Sequence, residues 1–565
     1  MKERSTEFLP IESDKEREEI SEKKPTSTTP WPIELGQHPL GERKKRRREK
    51  DGIGELETWN KLPEAERIEG KSRIEVAREC FDASERWRNL ILETISVEPK
   101  ERFEGGSIFY MWMNKVCPVS CEFCFFRSPT KDKRTVETEI TPEGIEKIIQ
   151  FTKEGKILKM VVSGGGEPLM SKDKINSLAR SVKVKDFVVV TSAYWAKGKN
   201  GAERTLDALR ESTQENPHHS TTTVRVSLDE GHFSRLSNSG SFDYVKNIVE
   251  WFSKNGMSGS RMKLLFHTME GDTTVDGLLA QLSVKSSKET RQGMMHKKEV
   301  ELENGLTFTI EYTQLFDASA LTNLHDRKQV AKNVQTFDDF IDERRKGNMP
   351  VHFNGEQENG LDFLTFYDGT STIWGASAPE VETSIYTEDY KQIIEKNLAD
   401  VLTLGELEKG TKAIQAIVAE VNPKAVERAV CSGLRDFYAR LLFEEDATRL
   451  YVSIRLLQDF VAEGRITEDQ QTVWPKQLRK MVETPKEELQ EAYFSSSHSI
   501  VKQYLTDPTV TADKLVSLHT RVLLGHYAMT SEKMMKEIDE SDIDPAMKQT
   551  FRDAVVAPHS QMELV

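Results

Sequence analysis

The sequence predicts an α/β protein: a partial (β/α)6, TIM-like barrel with an N-terminal helical preface and a C-terminal helical domain. Three observations carry this expectation. Six short runs rich in Val, Ile and Leu alternate with helically periodic segments between about residues 106 and 320, which is the pattern of parallel βα units. The first 54 residues are polar and Pro-containing, with no sustained apolar period, as in chains that bury too little to order themselves. From about residue 387 the periodicity is helical nearly to the end. The expected organisation is a polar, disordered leader over 1–54, a helical preface over 55–105, the barrel core over 106–320, a connecting segment with a β-hairpin over 321–385 and a helical domain over 386–565.

In the preface, Ile74, Ala77, Cys80 and Phe81 are spaced to share one helical face. Residues 107–113 (SIFYMWM) then read as a strand that runs straight into a group of cysteines. Thr141 as N-cap and Pro142 at the first helical position open a helix whose inner stripe is Ile145, Ile148 and Ile149. Further strands are expected over 157–163, 187–192 (FVVVTS), 224–228, 262–268 and 306–315, with helices near 175–182, 202–210, 242–252 and 275–282. Such strands, flanked by polar turns, suit a sheet covered on both faces. Six units are fewer than the eight of a closed barrel, hence a partial one. Past the sixth strand, residues 361–375 (LDFLTFYDGTSTIWG) place Asp368-Gly369 between two strand-like runs, a hairpin signal. No repeat period marks the helical region as a solenoid.

Composition excludes several classes. A chain of 565 residues exceeds one compact core, so two or three units are expected. The net charge of −14 argues against a polyanion-binding protein and leaves no strong nucleic-acid signal. The basic run at 43–48 (RKKRRR) sits in the polar leader and reads as a solvated segment. Five cysteines are too few for a disulfide scaffold. Cys80 and Cys431 stand alone in helix-like segments, as small buried hydrophobes do. No apolar run approaches a membrane span and the N-terminus is charged rather than shaped like a signal peptide, so a reducing cytoplasm is the expected location. A dinucleotide GxGxxG, a P-loop and a hydrolase elbow are all missing.

The remaining three cysteines, Cys117, Cys121 and Cys124, have the spacing C-x3-C-x2-C on a loop just after a strand. Thiolates suit iron–sulfur clusters and zinc. Three on one tight loop can hold three corners of a cubic cluster, leaving the fourth iron open to a small chelating molecule. A closed zinc site would instead need a fourth ligand from afar, such as Cys80, Cys431 or a distant His. The next strand ends in Gly164-Gly165-Gly166-Glu167-Pro168. Glycines there let the backbone approach a ligand, and α/β ligand sites gather at the C-terminal ends of strands.

This pair of motifs resembles the radical S-adenosylmethionine (SAM) superfamily, whose signature is C-x3-C-x-aromatic-C followed by a GGEP-like turn; the match covers about 107–316. The resemblance implies that Cys117, Cys121 and Cys124 ligate a [4Fe–4S] cluster, that Phe123 lies near the adenine and that Gly165, Gly166 and Glu167 form the turn meeting SAM's amino group. Gly164 is an extra glycine that departs from the pattern. Polar residues at the ends of strands three and four, Thr191 with Ser192 and Ser227 with Asp229, are implied against SAM's carboxylate and ribose. It further implies that SAM chelates the open iron, that an external flavodoxin- or ferredoxin-like donor supplies an electron, and that a 5′-deoxyadenosyl radical takes hydrogen from the substrate. The cofactors carry that chemistry while the protein orients and encloses it.

The substrate is less legible. With no cysteine after Cys431, the chain lacks the extra clusters of many peptide-modifying relatives, so a small polar substrate (sugar, nucleotide or amino acid derivative) is expected ahead of a peptide. Asp229 and His232 are the candidate catalytic residues, and Tyr367 and Trp374 of the hairpin are expected to face the pocket. His218-His219 lies in a polar stretch that reads as a surface loop. The reading from another class is a non-catalytic zinc or iron–sulfur protein that uses its helical domain as an interaction surface.

Overall fold

Alternation of apolar and polar positions in the strands, and 3.6-residue periodicity between them, produce the layers seen in the computed structural model. It describes residues 70–100, 106–119, 121, 138–218, 221–237, 240–256, 260–292, 295–313, 361–373, 381, 383–423, 426, 445–496, 500–523, 527 and 529–556. The leader over 1–54 lies outside the described residues, as do Phe123, Cys124, Trp374 and Cys431.

Two helices come first, α1 (Arg73–Asp82) and α2 (Ser84–Thr94). Ser72 and Glu75 close a capping box at the start of α1, satisfying amides that a helix N-terminus leaves free. The alternating core then runs β1 (Gly106–Asn114), α3 (Pro142–Glu154), β2 (Lys159–Gly165), α4 (Lys172–Ser181), β3 (Asp186–Thr191), α5 (Lys199–Glu215), β4 (Thr221–Ser227), α6 (Glu230–Leu236), α7 (Asp243–Asn255), β5 (Met262–Met269) and α8 (Thr274–Leu279). Thr141 caps α3 through the Gly144 amide and Pro142 opens it, as the sequence predicts.

With β6 (Val284–Gln292), β7 (Met295–Leu302), β8 (Thr307–Thr313), β9 (Leu361–Thr365) and β10 (Ser371–Ile373), the described strands form one sheet in the order β10-β9-β1-β2-β3-β4-β5-β8-β7-β6. Every pairing from β9 through β8 is parallel. One face carries Phe109, Met160, Val162, Phe187, Val189, Val224, Val226, Leu264 and Phe266 into the main core, against Ile148, Leu178, Leu206 and Ile248 of the helices. The other face is the lumen of the partial barrel, with a small apolar floor of Ile108, Val161 and Val188.

Three features differ from the sequence-based expectation. Between α8 and the sixth parallel strand β8 (Thr307–Thr313), the chain makes an antiparallel hairpin of β6 (Val284–Gln292) and β7 (Met295–Leu302). Its sequence, VKSSKETRQ and MHKKEVEL, is charged rather than apolar because β6 is an exposed edge, and charge keeps such edges from pairing with other chains. The Asp368-Gly369 hairpin exists, with Thr365 opposite Ser371. Rather than merely linking core and helices, however, its first strand β9 (Leu361–Thr365) pairs parallel with β1 and extends the sheet to β10 (Ser371–Ile373).

The third difference concerns α1 and α2, which pack on the C-terminal helices. Phe81 is fully buried, its ring edge-on to Tyr493 (5.5 Å between centroids) and 6.3 Å from Tyr451. Arg88 reaches Asp446 at 3.1 Å in a buried ion pair. The last described helices have a core of their own, including Val501, Leu515, Leu518, Met534, Ile538 and Phe551. The expected helical domain thus contains two apolar cores, one of them shared with the preface.

Removing the Phe81 ring leaves a cavity between helices more than three hundred residues apart in sequence. Phe81→Ala is expected to lower stability by about 3–5 kcal/mol in urea unfolding. A loss below about 1 kcal/mol would show that the preface is not part of that core.

Candidate active site

β1 ends at Asn114 and β2 at Gly165, directly opposite each other in parallel register. The cysteine loop leaves the first and the glycine turn leaves the second, so neighbouring strands deliver both motifs to one edge of the sheet. The Glu167 amide donates to the Val116 carbonyl at 2.9 Å, joining turn to loop. A Cβ on Gly166 would lie 2.2 Å from the Val116 carbonyl oxygen and 2.1 Å from Asn114 Oδ1. Glycine is therefore required for this close approach. Gly165 has φ +80°, and a Cβ there would lie 2.3 Å from the Asn114 carbonyl oxygen. Asn114 Nδ2 donates to the Glu167 carbonyl at 3.0 Å and to Ser171 Oγ at 3.2 Å, while its buried Oδ1 has no partner.

Cys117 and Cys121 are not joined in a disulfide; both are partly exposed and packed beside the main core. The described residues alone form no three-ligand metal group, and the third cysteine, Cys124, lies outside them. A soft, anionic thiolate set on a partly open loop fits an iron–sulfur cluster.

The Glu167 side chain is 2% exposed and turned inward. Oε1 accepts from the Leu169 amide at 3.1 Å and the Thr191 hydroxyl at 2.7 Å. Oε2 accepts from the Ser192 amide at 2.8 Å and the Ser192 hydroxyl at 2.6 Å. Thr191 Oγ1 in turn accepts from the Ala193 amide and from Trp195 Nε1. The carboxylate thus staples the β2 turn to the end of β3. The hydroxyl protons of Thr191 and Ser192, expected to face SAM, are given to Glu167 instead.

The end of β4 carries the other candidates. Ser227 is its last residue, beside His267 of β5 in register. Asp229 caps α6 by accepting from the His232 amide at 3.0 Å, and its Oδ2 lies 2.6 Å from His232 Nδ1. Burial would lower the pKa of His232, but hydrogen bonds to Asp229 and Cys121, with their negative charge, push it up to about 10. Burial likewise opposes ionisation of Asp229, yet His232 holds that carboxyl below its usual range. The two candidate catalytic residues are therefore an ion pair leaning on a cysteine of the motif, a contact that spacing could not reveal. Tyr367 is buried on the hairpin, with the Lys115 ammonium 6.0 Å from its ring centre. His218 is exposed, as expected of a surface loop.

Sequence reasoning passed over a group of charged lumen residues: Lys159, Arg225, His267, Lys297 and Glu311. Their signal was present, since a charged residue inside a strand covered on both faces has no solvent to meet. Lys297 pairs with Glu311 at 2.7 Å. His267 Nε2 lies 2.7 Å from Thr313 Oγ1, and burial together with the Arg225 charge holds its pKa down to about 3. That imidazole is neutral at any pH near 7.

Two outcomes follow. Glu167→Gln turns one oxygen acceptor into a donor facing donors and is expected to cost about 2–3 kcal/mol of stability in urea unfolding; an unchanged midpoint would show that the staple contributes nothing. The ring carbon resonances of His267 in 13C-histidine-labelled protein should stay fixed between pH 5 and 8, and a titration in that window would place the ring in solvent.

Residues 113–279 match the family model described as the radical SAM superfamily. This stretch holds the cysteine loop, the glycine turn and the strands β2 to β5. No curated protein matches the chain. Among solved structures, one described as "Native anSMEcpe with bound AdoMet" aligns over 62% of this chain and 98% of that one, at 13% identity and a TM-score of 0.34. Among the described residues no helix is long and apolar enough to cross a membrane. With the motifs, their register and the family match agreeing, the chain is an enzyme carrying a radical SAM domain at residues 113–279, the superfamily whose cofactors are a [4Fe–4S] cluster and SAM.

Proposed function

We propose that Cys117, Cys121 and Cys124 hold the cluster, and that the enzyme acts on a small polar substrate bound in the barrel lumen. The observation that carries this reading is the seam between the two motifs: the Glu167 amide on the Val116 carbonyl, with Gly166 pressed against the same loop. That seam ties the turn's backbone to the loop that carries the cysteines, which supports a chelating amino acid group lying between the two. Held there, the cluster and SAM would supply reductive cleavage of SAM, releasing methionine and a hydrogen-abstracting group, with the one electron consumed coming from an external flavodoxin- or ferredoxin-like donor.

The chain's own residues position and enclose. Gly165 and Gly166 offer backbone to SAM's amino group, and Glu167 keeps that backbone in place from behind. Ser227 stands at the lumen rim for ribose or carboxylate, Ser192 keeps only acceptor lone pairs for the same purpose, and Phe123 is assigned to the adenine. Asp229 and His232 act through Cys121 as positioning residues, setting charge beside a cluster thiolate. A small polar substrate is supported by the lumen itself. A cleft of about 670 Å³, with Thr223, Lys263, Leu265, Lys288, Glu299 and Thr309 in its lining, opens on that face. This is the size range of small-molecule sites.

Anaerobic reconstitution with iron and sulfide should give a brown protein with about four irons per chain. Adding SAM and a strong reductant should release 5′-deoxyadenosine and methionine. Cys121→Ala should abolish both colour and release; a colourless wild type carrying zinc would defeat the proposal in favour of a binding protein. His232→Ala removes a cationic hydrogen-bond donor next to a ligand thiolate and should move the cluster's midpoint potential to a more negative value. Redox titration followed by electron paramagnetic resonance reads this, and an unmoved midpoint would remove His232 from the site.

A further inference from the structure

Strand alternation turns Arg225 and Ser227 of β4, Leu265 and His267 of β5, and Thr309 and Glu311 of β8 away from the helices and into the lumen; their neighbours Val224, Val226, Leu264, Phe266, Phe308 and Ile310 are buried on the helical side. Lys159, at the start of β2, joins them beside Ile108 and Asp186. Three basic side chains, Lys159, Arg225 and Lys297, face this space with the carboxylates Glu311 and Asp186.

The partners do not divide evenly. Glu311 is taken by Lys297 at 2.7 Å. Asp186 accepts from the Thr221 hydroxyl at 2.5 Å. His267 is neutral and engaged with Thr313. Arg225 comes no nearer to Glu311 than 4.0 Å from Nε, and that nitrogen is buried without a hydrogen-bond partner. Lys159 makes no hydrogen bond or ion pair among the described residues. Burial lowers its amine below the ordinary lysine range; Glu311 and Asp186 oppose that shift, and Arg225 and Lys297 add to it. Among the described residues, Arg225 thus has only a carboxylate that it shares with Lys297, at 4.0 Å, and Lys159 has no bonded counter-ion; in a partly desolvated lumen this is costly unless something neutralises them. A guanidinium fork with a lysine close enough to feel its charge matches the charge of an oxyanion.

We propose that the substrate carries a compact oxyanion, a carboxylate or a phosphate, which Arg225 and Lys159 seat inside the barrel. This rests on the reading of the domain as a SAM-cleaving enzyme with a small polar substrate, and it narrows that substrate to an anionic one. The cleft lies alongside, since Leu265 and Thr309 of its lining share a register row with Arg225.

The test uses the reconstituted holoenzyme with inorganic phosphate and acetate as separate probes, each titrated against sodium chloride at equal ionic strength. Binding is read by a saturable rise in the thermal midpoint and, for phosphate, by 31P line width. Saturation by phosphate identifies a phosphorylated substrate, and saturation by acetate alone a carboxylate. Either should be weakened about tenfold or more by Arg225→Gln and by Lys159→Met, and less by Arg225→Lys. SAM affinity, measured on the same samples, should move by no more than about twofold. The proposal is overturned if neither anion saturates, if both variants bind as the wild type does, or if SAM affinity falls as far as anion affinity. Release of 5′-deoxyadenosine by the wild type reports separately on the SAM reading, so each idea can fail without the other.

Discussion

The arrangement depends on one close approach, the glycine turn of β2 lying against the backbone of the cysteine loop. No side chain fits between Gly166 and Val116, so the two motifs meet main chain to main chain. The position of the turn is then fixed from the other side by Glu167, whose carboxylate has four donors from its own turn and the end of β3. A buried carboxylate so fully satisfied is rigid and low in energy, whereas losing any donor would leave charge in a dry place. The acidic residue of the motif therefore serves as scaffold, and the surface it leaves for a ligand is backbone.

Around this seam the barrel divides its polar groups by depth. At the rim, the Asp229–His232 pair sits against Cys121. Away from the rim, Arg225, Lys159 and the Lys297–Glu311 pair add a charged wall beside the small apolar floor of the lumen. His267 stays neutral between the two levels because burial and Arg225 both disfavour its proton. One sheet thus presents a helix-facing side built for packing and a lumen-facing side built for charge.

The helical regions are joined by long-range contacts rather than by order in the chain. Phe81 against Tyr451 and Tyr493, with Arg88 against Asp446, makes the N-terminal helices part of the C-terminal assembly. The strands between are held by their own parallel ladder. Together these pin the first described helices to those at 446–495 while leaving the C-terminal edge of the sheet, where the motifs meet, to the loops.

Much of this was legible in the residues. Cysteine spacing, the glycine turn, six apolar strands and the Thr141-Pro142 helix start are local patterns, and local patterns survive translation into structure because they depend on neighbours a few residues away. The charged hairpin of β6 and β7 was hidden because an edge strand has no apolar face to betray it. That β9 would pair with β1, that α1 would dock on helices near residues 446–495, that Glu167 would turn inward to Thr191 and Ser192, and that His232 would reach Cys121 could not be read from spacing. Each joins residues tens to hundreds of positions apart, and such pairings are chosen by how whole elements bury their faces together. The sequence alone determined the chemistry on offer, three cysteines in one motif and a glycine-rich turn following the next strand-like run. Only the tertiary structure decided which polar groups the scaffold consumes and which lumen cations are left short of hydrogen-bonded partners among the described residues, because hydrogen bonds are satisfied by proximity in space and not along the chain.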